Sequence, residues 1–104
     1  MTNYVLLYRG GGMPETEAEQ QQVMAAWGTW YEQLGQALAD GGNPFGPARS
    51  IAPDGTVSDG GASGLTGYTI LQADSLDAAT EMGKSCPIIA SGGSVEVYET
   101  FQVM

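Results

Sequence analysis

Histidine is absent from the 104 residues of this chain, and cysteine occurs once, at Cys86. Histidine is the side chain most often used as a general base near neutral pH, and it is the commonest metal ligand in proteins. With no histidine and one cysteine, an ordinary zinc site cannot be assembled. We therefore predict neither a metal site nor a cofactor, and the sequence excludes catalysis that depends on histidine.

The single cysteine also excludes an internal disulfide, so nothing in the sequence indicates an oxidising compartment. Residues 1–9 contain no basic leader, and no apolar run approaches the roughly 20 residues that span a bilayer. We therefore expect a cytoplasmic protein. The length suits one hydrophobic core, so residues 1–104 are predicted to form a single domain.

Positive charge is scarce as well. Three basic residues stand against twelve acidic residues, and the formal net charge at pH 7 is −9. A surface of this sign repels phosphate backbones and anionic lipids, so we expect no nucleic-acid partner and no membrane partner. The acidic excess is typical of a surface that keeps a protein soluble.

The first predicted element is a β-strand over residues 3–9, which the glycines at 10–12 end with a turn. Its apolar side chains alternate between two faces, with Tyr4, Leu6 and Tyr8 on one and Val5 and Leu7 on the other. Both faces are apolar, which is typical of an inner strand that is covered on both sides.

A long helix is predicted over residues 14–40, because Pro14 suits a first turn and the glycines at 41–42 supply a stop. One apolar stripe follows this helix at helical spacing: Val23, Trp27, Trp30, Tyr31, Leu34 and Leu38. The regular stripe indicates that one side of the helix packs on the rest of the protein.

The remainder of the chain is predicted to contain shorter elements. Asp54 and Gly55 indicate a turn between two short strands, and residues 60–64 indicate a glycine-rich loop. The later elements are a strand over 66–73, a short helix capped by Asp74 or Ser75 and ended by Cys86 and Pro87, and a strand over 94–103.

This order of elements predicts an α+β fold of the ferredoxin-like βαββαβ type, with two helices on one face of an antiparallel sheet. The opposite face is left open and, for four strands of about six residues, covers about 400 Å². An apolar face of this size favours pairing of two sheets. We therefore predict a homodimer that forms through the open sheet face.

Several segments, in this order along the chain, resemble the YCII-related family and its DGPF-type branch. The segments are residues 4–8 (YVLLY), the helix with Trp27 and Trp30, and residues 38–42, 59–60, 67–71, 73–79, 86–87 and 94–97. The resemblance covers nearly the whole chain. It implies a ferredoxin-like fold that dimerises into an α+β barrel, with a pocket between helix and sheet near the dimer seam.

The chain departs from the family pattern at two places. The family histidine falls at about Trp30, and its acidic partner falls near Ala39 or Asp40. The Asp-Gly-Pro-Phe motif of the branch is replaced by residues 59–62 (DGGA). The catalytic role that the resemblance gives to a histidine–aspartate pair therefore does not carry over.

The aromatic residues of the long helix are the first candidates for a ligand site. Trp27, Trp30 and Tyr31 either fill the core, as aromatic residues at helical spacing usually do, or form the wall of a site for a flat apolar ligand. Trp30 lies where the resemblance implies the family pocket. Tyr68 likewise is either a core residue or a phenol in the pocket.

Charged residues provide a second set of candidates. Arg9 either lies at the surface or anchors a carboxylate ligand through its forked donors. Asp59, or Asp40 in its place, is a candidate general base together with Tyr68, provided that burial raises the pKa of the carboxyl group.

Three functions remain open from the sequence. The first is a dimeric module that binds a small-molecule ligand. The second is a cofactor-free enzyme that performs acid–base chemistry on a small carboxylate or aromatic substrate. The third is a protein-interaction partner in transcriptional regulation, which rests on the occurrence of some relatives with sigma factors.

Overall fold

The computed structural model describes residues 2–11, 14–61 and 63–103. Their β-strands are β1 (Thr2–Arg9), β2 (Leu38–Asp40), β3 (Arg49–Ile51), β4 (Val57–Asp59), β5 (Leu65–Ala73) and β6 (Ser94–Glu99). Their helices are α1 (Glu17–Leu34), α2 (Leu76–Lys84) and α3 (Pro87–Ala90), and a 3₁₀ turn (Gly35–Ala37) follows α1. None of the described helices is long and apolar enough to cross a membrane.

Four antiparallel strands form the main sheet, in the spatial order β2-β5-β1-β6. Strand β1 pairs along its length with β5 and, over Tyr4–Arg9, with β6, which confirms that it is an inner strand. The remaining two strands, β3 and β4, form a separate hairpin. Without this hairpin, the element order and the strand order are those of a ferredoxin-like α+β fold.

The core lies between the sheet and the helices. The side chains of β1 that face the helices, Tyr4, Leu6 and Tyr8, are buried, whereas Val5 and Leu7 on the other face are half-buried. Trp30 of α1 packs in the same cluster as Leu6, and its indole Nε1 donates a hydrogen bond to the carbonyl oxygen of Met82 in α2, at 3.1 Å. These contacts place α1 and α2 on one face of the sheet.

Side-chain caps define where the two longer helices begin. Thr16 Oγ1 accepts a hydrogen bond from the backbone N–H of Glu19 at 3.2 Å, so α1 begins later than the predicted Pro14. Ser75 caps α2 in the same way, by accepting from the backbone N–H of Ala78 at 3.1 Å. Ser75 was one of the two caps predicted for this helix.

The prediction that one helix continues to Asp40 is wrong. Helix α1 ends at Leu34, because Gly35 adopts a φ of 55° that does not continue an α-helix. Residues Leu38–Asp40 form the edge strand β2 instead, and Leu38 packs against the core from that strand. The spacing of Leu38 therefore fitted the helical stripe by coincidence.

Two further predictions about the second half of the chain require correction. The last strand ends at Glu99, the partner of Tyr4, rather than at 103: the N–H of Thr100 still donates to the carbonyl oxygen of Asn3, but Phe101 and Val103 beyond it are exposed. The short helix α3 begins directly after Cys86, where the sequence predicted only the end of a helix.

The predicted turn between short strands is confirmed, since Asp54 Oδ1 accepts from the N–H of Thr56 at 2.9 Å. Gly12 of the first predicted turn and Ala62 of the predicted loop lie outside the described residues.

Gly42 provides a test of how tightly the loop after β2 packs on β5. It has a φ of 73°, and a Cβ atom at this position would lie 1.7 Å from the carbonyl oxygen of Tyr68. We predict that Gly42→Ala lowers the free energy of unfolding by about 3 kcal/mol or more, measured by urea denaturation.

The matched control is Gly55→Ala. Gly55 has a φ of 89° in the hairpin turn, and its Cβ would meet no atom within 4 Å. Backbone strain alone should cost about 1 kcal/mol there. Equal losses in the two variants would show that the loop does not pack on β5 as described.

Candidate functional site

A cavity of about 450 Å³ lies between α1 and the sheet, at the end of the sheet where β1 finishes and β5 begins. We call it the aromatic cavity. Its inner wall is formed by Tyr8, Trp27, Tyr31, Thr69, Gly41 and Ile88. Its mouth includes Met24, Asn43 and Ser91, all of which are exposed. The volume is within the range of pockets that hold small molecules, about 300–1,000 Å³.

Regular secondary structure positions the wall of this cavity. Val23, Trp27 and Tyr31 are four residues apart on α1, so their side chains lie on one side of the helix. Tyr8 reaches the cavity from β1 because the alternation of the strand turns it toward the helices. The wall is therefore built on the most regular parts of the fold.

Aromatic rings pack edge to face around the cavity. The ring of Trp27 lies 5.5 Å from that of Tyr8 at an interplanar angle of 68°, and 5.9 Å from that of Tyr31 at 52°. Such edge and tilted contacts are the favourable arrangements for aromatic pairs. They fix the three rings relative to one another, so the aromatic wall is preformed.

A chain of hydrogen bonds lies behind these rings. The hydroxyl of Tyr8 donates to Thr69 Oγ1 at 2.5 Å, and the hydroxyl of Thr69 donates to the carbonyl oxygen of Gly41 at 3.0 Å. The hydroxyl of Tyr31 donates to the same carbonyl oxygen at 3.2 Å. The chain joins β1, β5, α1 and the loop after β2.

The wall of the aromatic cavity is uncharged. Among the described residues that line it, none is an aspartate, glutamate, lysine or arginine. Burial raises the pKa of Tyr8 far above its ordinary value of 10.0, and burial also raises the pKa of Tyr31. Both phenols are therefore neutral at physiological pH.

Cys86 lies behind the cavity wall rather than in it. Its side chain belongs to the same buried cluster as Tyr8 and Trp30, and the residue is 2% exposed. Burial raises the pKa of the Cys86 thiol, so the thiolate that would react is disfavoured. In the described part of the chain, no three His, Cys, Asp or Glu side chains are grouped so that they could hold a metal ion.

The aromatic residues predicted from the sequence have different positions in the structure. Trp27 and Tyr31 line the aromatic cavity, but Trp30 does not; it is 2% exposed and donates to Met82 in the core. Tyr68 also lines the cavity, although its position in β5 is one of those that face away from the helices. Its ring stacks on that of Phe45, at 5.7 Å.

The charged residues predicted from the sequence lie outside the aromatic cavity. Asp59 is on β4, its side chain is 99% exposed, and its carboxylate lies 3.7 Å from the guanidinium of Arg49. The burial that its proposed role as a base requires is therefore absent in this chain. Asp40 Oδ1 accepts from the backbone N–H of Gly42 at 2.9 Å, in the loop beside the cavity. Arg9 lies 3.3 Å from Glu96.

Two residues of the wall, Tyr8 and Thr69, were not among the predicted site residues. Thr69 is fully buried, and it is a polar residue on the face of β5 that otherwise faces the core. A buried polar side chain on an otherwise apolar strand face requires a hydrogen-bond partner. A threonine in that pattern is the sequence signal from which this position could have been predicted. Tyr8 carries the same signal, since it is a phenol on the buried face of β1.

Comparison with known proteins identifies one family. The model described as the YCII-related domain matches residues 3–103. Comparison with curated proteins finds no match. Among solved structures, the chain is similar to 5-chloro-2-hydroxyhydroquinone dehydrochlorinase (TftG) from Burkholderia phenoliruptrix AC1100 in complex with 2,5-dihydroxybenzoquinone. The TM-score is 0.55 and the identity is 21%, over 95% of this chain and 93% of that one. At 21% identity, this similarity is evidence for a shared fold and for nothing more.

The hydroxyl of Thr69 provides the test of this site. We predict that Thr69→Val lowers the free energy of unfolding by about 2–3 kcal/mol, because it leaves the buried hydroxyl of Tyr8 without its acceptor. Thr69→Ser keeps the hydroxyl, loses one methyl group and should cost about 1 kcal/mol. The measurement is chemical denaturation of the three proteins. A serine variant that is as unstable as the valine variant would refute the importance of the hydrogen-bond chain.

Proposed function

We propose that this chain, which belongs to the YCII-related family, binds small, flat and uncharged ring compounds in the aromatic cavity. The observation that carries the proposal is the character of the wall: three preformed aromatic rings, neutral hydroxyl groups and, among the described lining residues, no charged side chain. Rings of this kind offer large apolar contact areas to a flat ligand at little cost in side-chain entropy.

The ligand of the structural neighbour agrees in size with the proposed ligand class but differs from it in charge. The neighbour is described as a complex with 2,5-dihydroxybenzoquinone, a flat ring with two hydroxyl groups. Hydroxyl groups conjugated to carbonyl groups are acidic, so this compound becomes an anion. None of the described residues that line the aromatic cavity carries a positive charge that could pair with an anion, and an unpaired buried charge is costly. We therefore propose neutral rings for this chain.

Binding is favoured over catalysis by the position of the titratable groups. Acid–base chemistry requires a group with a suitable pKa within hydrogen-bond reach of the bound ring. Neither Asp40 nor Asp59 lines the aromatic cavity, and Tyr8 and Tyr31, which do line it, hold their protons because burial raises the pKa of each. A binding module without turnover is thus the better of the two functions for this site.

We also propose that the protein is a homodimer that pairs through the open sheet face. Val5, Leu7 and Ile70 are half-buried on this face, and the described part of the chain places no helix over it. The molecule is 17 Å across its shortest axis, which corresponds to one sheet and one layer of helices. A second sheet on the open face would complete the α+β barrel that the resemblance implies.

The binding site is tested by filling the cavity. Gly28 lines it from α1, and a Cβ at this position would meet no atom within 4 Å. We predict that wild-type protein binds 2,7-dihydroxynaphthalene and that Gly28→Leu weakens binding by about tenfold or more, measured by isothermal titration calorimetry.

Gly28→Ala is the control for this experiment. Both substitutions replace a helical glycine and should stabilise α1 by up to about 1 kcal/mol, so unfolding cannot explain a loss of binding. The alanine variant should keep most of the affinity. If the leucine variant binds as well as wild type, the compound occupies another place and the proposed site is wrong.

The dimer is tested by placing a charge on the open face. Leu7 lies opposite Tyr68 of β5 and Glu96 of β6, near the middle of the sheet. We predict that wild type is a dimer in analytical ultracentrifugation and that Leu7→Lys is a folded monomer, because the charge would be buried between two sheets. Gln21→Lys, on the exposed surface of α1, adds the same charge and should remain dimeric. A dimeric Leu7→Lys protein would exclude this interface.

A further inference from the structure

The segment between β2 and β5 lies almost entirely in solvent. Every residue from 43 to 60 is exposed except Ser50, which is half-buried. We call residues 43–60 the arm; it contains the hairpin of β3 and β4. The radius of gyration is 15.2 Å, whereas a compact domain of this length has about 13 Å. The difference agrees with a segment that projects from the body of the molecule.

The interactions within the arm are weak for a segment of defined conformation. Strands β3 and β4 contain three residues each, and an isolated two-stranded hairpin is at best marginally stable in water. The ion pair between Arg49 and Asp59 is exposed, so it contributes little to stability. A further surface is therefore needed to hold the arm in one place.

The two faces of the hairpin differ in character. Ile51 lies opposite Val57, and Ser50 lies opposite Ser58. Because side chains alternate along a strand, the apolar pair lies on one face and the two serines lie on the other. Ile51 is 74% exposed and Val57 is 56% exposed. The apolar face is thus the one that gains by contact with another surface.

The arm begins at the open sheet face. Pro44 forms a β-bridge with Gly67, and the N–H of Phe45 donates to the carbonyl oxygen of Thr66 at 2.9 Å. The ring of Phe45 stacks on that of Tyr68, whose position in β5 faces away from the helices. Phe45 is itself exposed. The apolar surface of the open face therefore continues onto the arm.

The open sheet face alone is small for a stable interface. It covers about 400 Å² on each protomer, while stable complexes bury about 800 Å² on each partner. An arm with two legs of about six residues covers about 200 Å² of a partner and hides as much of its own surface. When both arms of a two-fold dimer do so, the interface reaches the size that a stable dimer needs.

We propose that the arm of each protomer packs on the second copy of this chain, with Ile51 and Val57 turned toward the partner. This inference rests on the proposed homodimer, and it adds a second part to the interface, formed by a segment outside the main sheet. The contact is reciprocal, because a two-fold axis relates the two copies.

Adjacent residues of β4 provide a matched test. Val57→Asp places a charge on the apolar face of the hairpin, and Ser58→Asp places the same charge on the other face. In sedimentation equilibrium, Val57→Asp should raise the dissociation constant of the dimer about tenfold or more, because a carboxylate would be buried in the interface. Ser58→Asp adds the same charge to a chain of net charge −9 and should change the constant by less than about threefold.

Equal dissociation constants for wild type and Val57→Asp would overturn the inference, and so would equal weakening by the two variants. The open-face contact is judged separately by Leu7→Lys, so the arm can fail while that contact stands. A wild-type protein that is monomeric would defeat both the homodimer and the arm.

Hydrogen exchange measures the arm without any substitution. Amides of residues 50–58 should exchange about tenfold more slowly at protein concentrations well above the dissociation constant of the dimer than at concentrations well below it. Equal exchange at the two concentrations would show that the arm stays in solvent when the dimer forms, and it would overturn the inference.

Discussion

The hydroxyl of Thr69 is at the centre of a chain of side-chain hydrogen bonds that joins the sheet, the loop after β2 and α1. It lies on β5, accepts from Tyr8 of the central strand β1, and donates to Gly41 in the loop that follows the edge strand β2. The hydroxyl of Tyr31, on α1, donates to the same carbonyl oxygen. Because Tyr8 and Thr69 are buried, their hydroxyl groups depend on these partners for their hydrogen bonds. The ends of three strands and one helix are thereby held around a single cavity.

The same constraint explains why this cavity stays open instead of collapsing. Tyr8, Trp27 and Tyr31 are fixed by ring contacts and hydrogen bonds, and Gly42 allows the loop after β2 to approach β5 more closely than a residue with a Cβ could. Stiff aromatic side chains cannot relax into the space as aliphatic chains would. A preformed and uncharged pocket follows from the packing of the fold.

The sequence predicted the sheet better than the site. The apolar side chains on both faces of residues 3–9 correctly indicated an inner strand, because such a strand must be covered on both sides. The stripe of α1 could not distinguish Trp27 from Trp30, since both recur at helical spacing; only tertiary packing puts Trp27 on the cavity and Trp30 in the core. Leu38 fitted the stripe although Gly35 had already ended the helix.

The charges of the chain are placed apart from the aromatic cavity. Asp40 stabilises a turn, Asp59 lies beside Arg49 on an exposed hairpin, and Arg9 pairs with Glu96 on the sheet. Trp30, where the resemblance places the family histidine, instead bonds to a backbone carbonyl in the core. The position to which the resemblance assigns a histidine is therefore part of the packed core in this chain. The polar groups of the site are neutral hydroxyl groups instead.

The most direct test of this account is a crystal structure of the protein with 2,7-dihydroxynaphthalene. Electron density for the ring system is expected in the aromatic cavity, packed against the ring of Trp27. Density for the compound only outside the aromatic cavity, with the cavity itself unoccupied, would contradict the central claim that this cavity is the binding site.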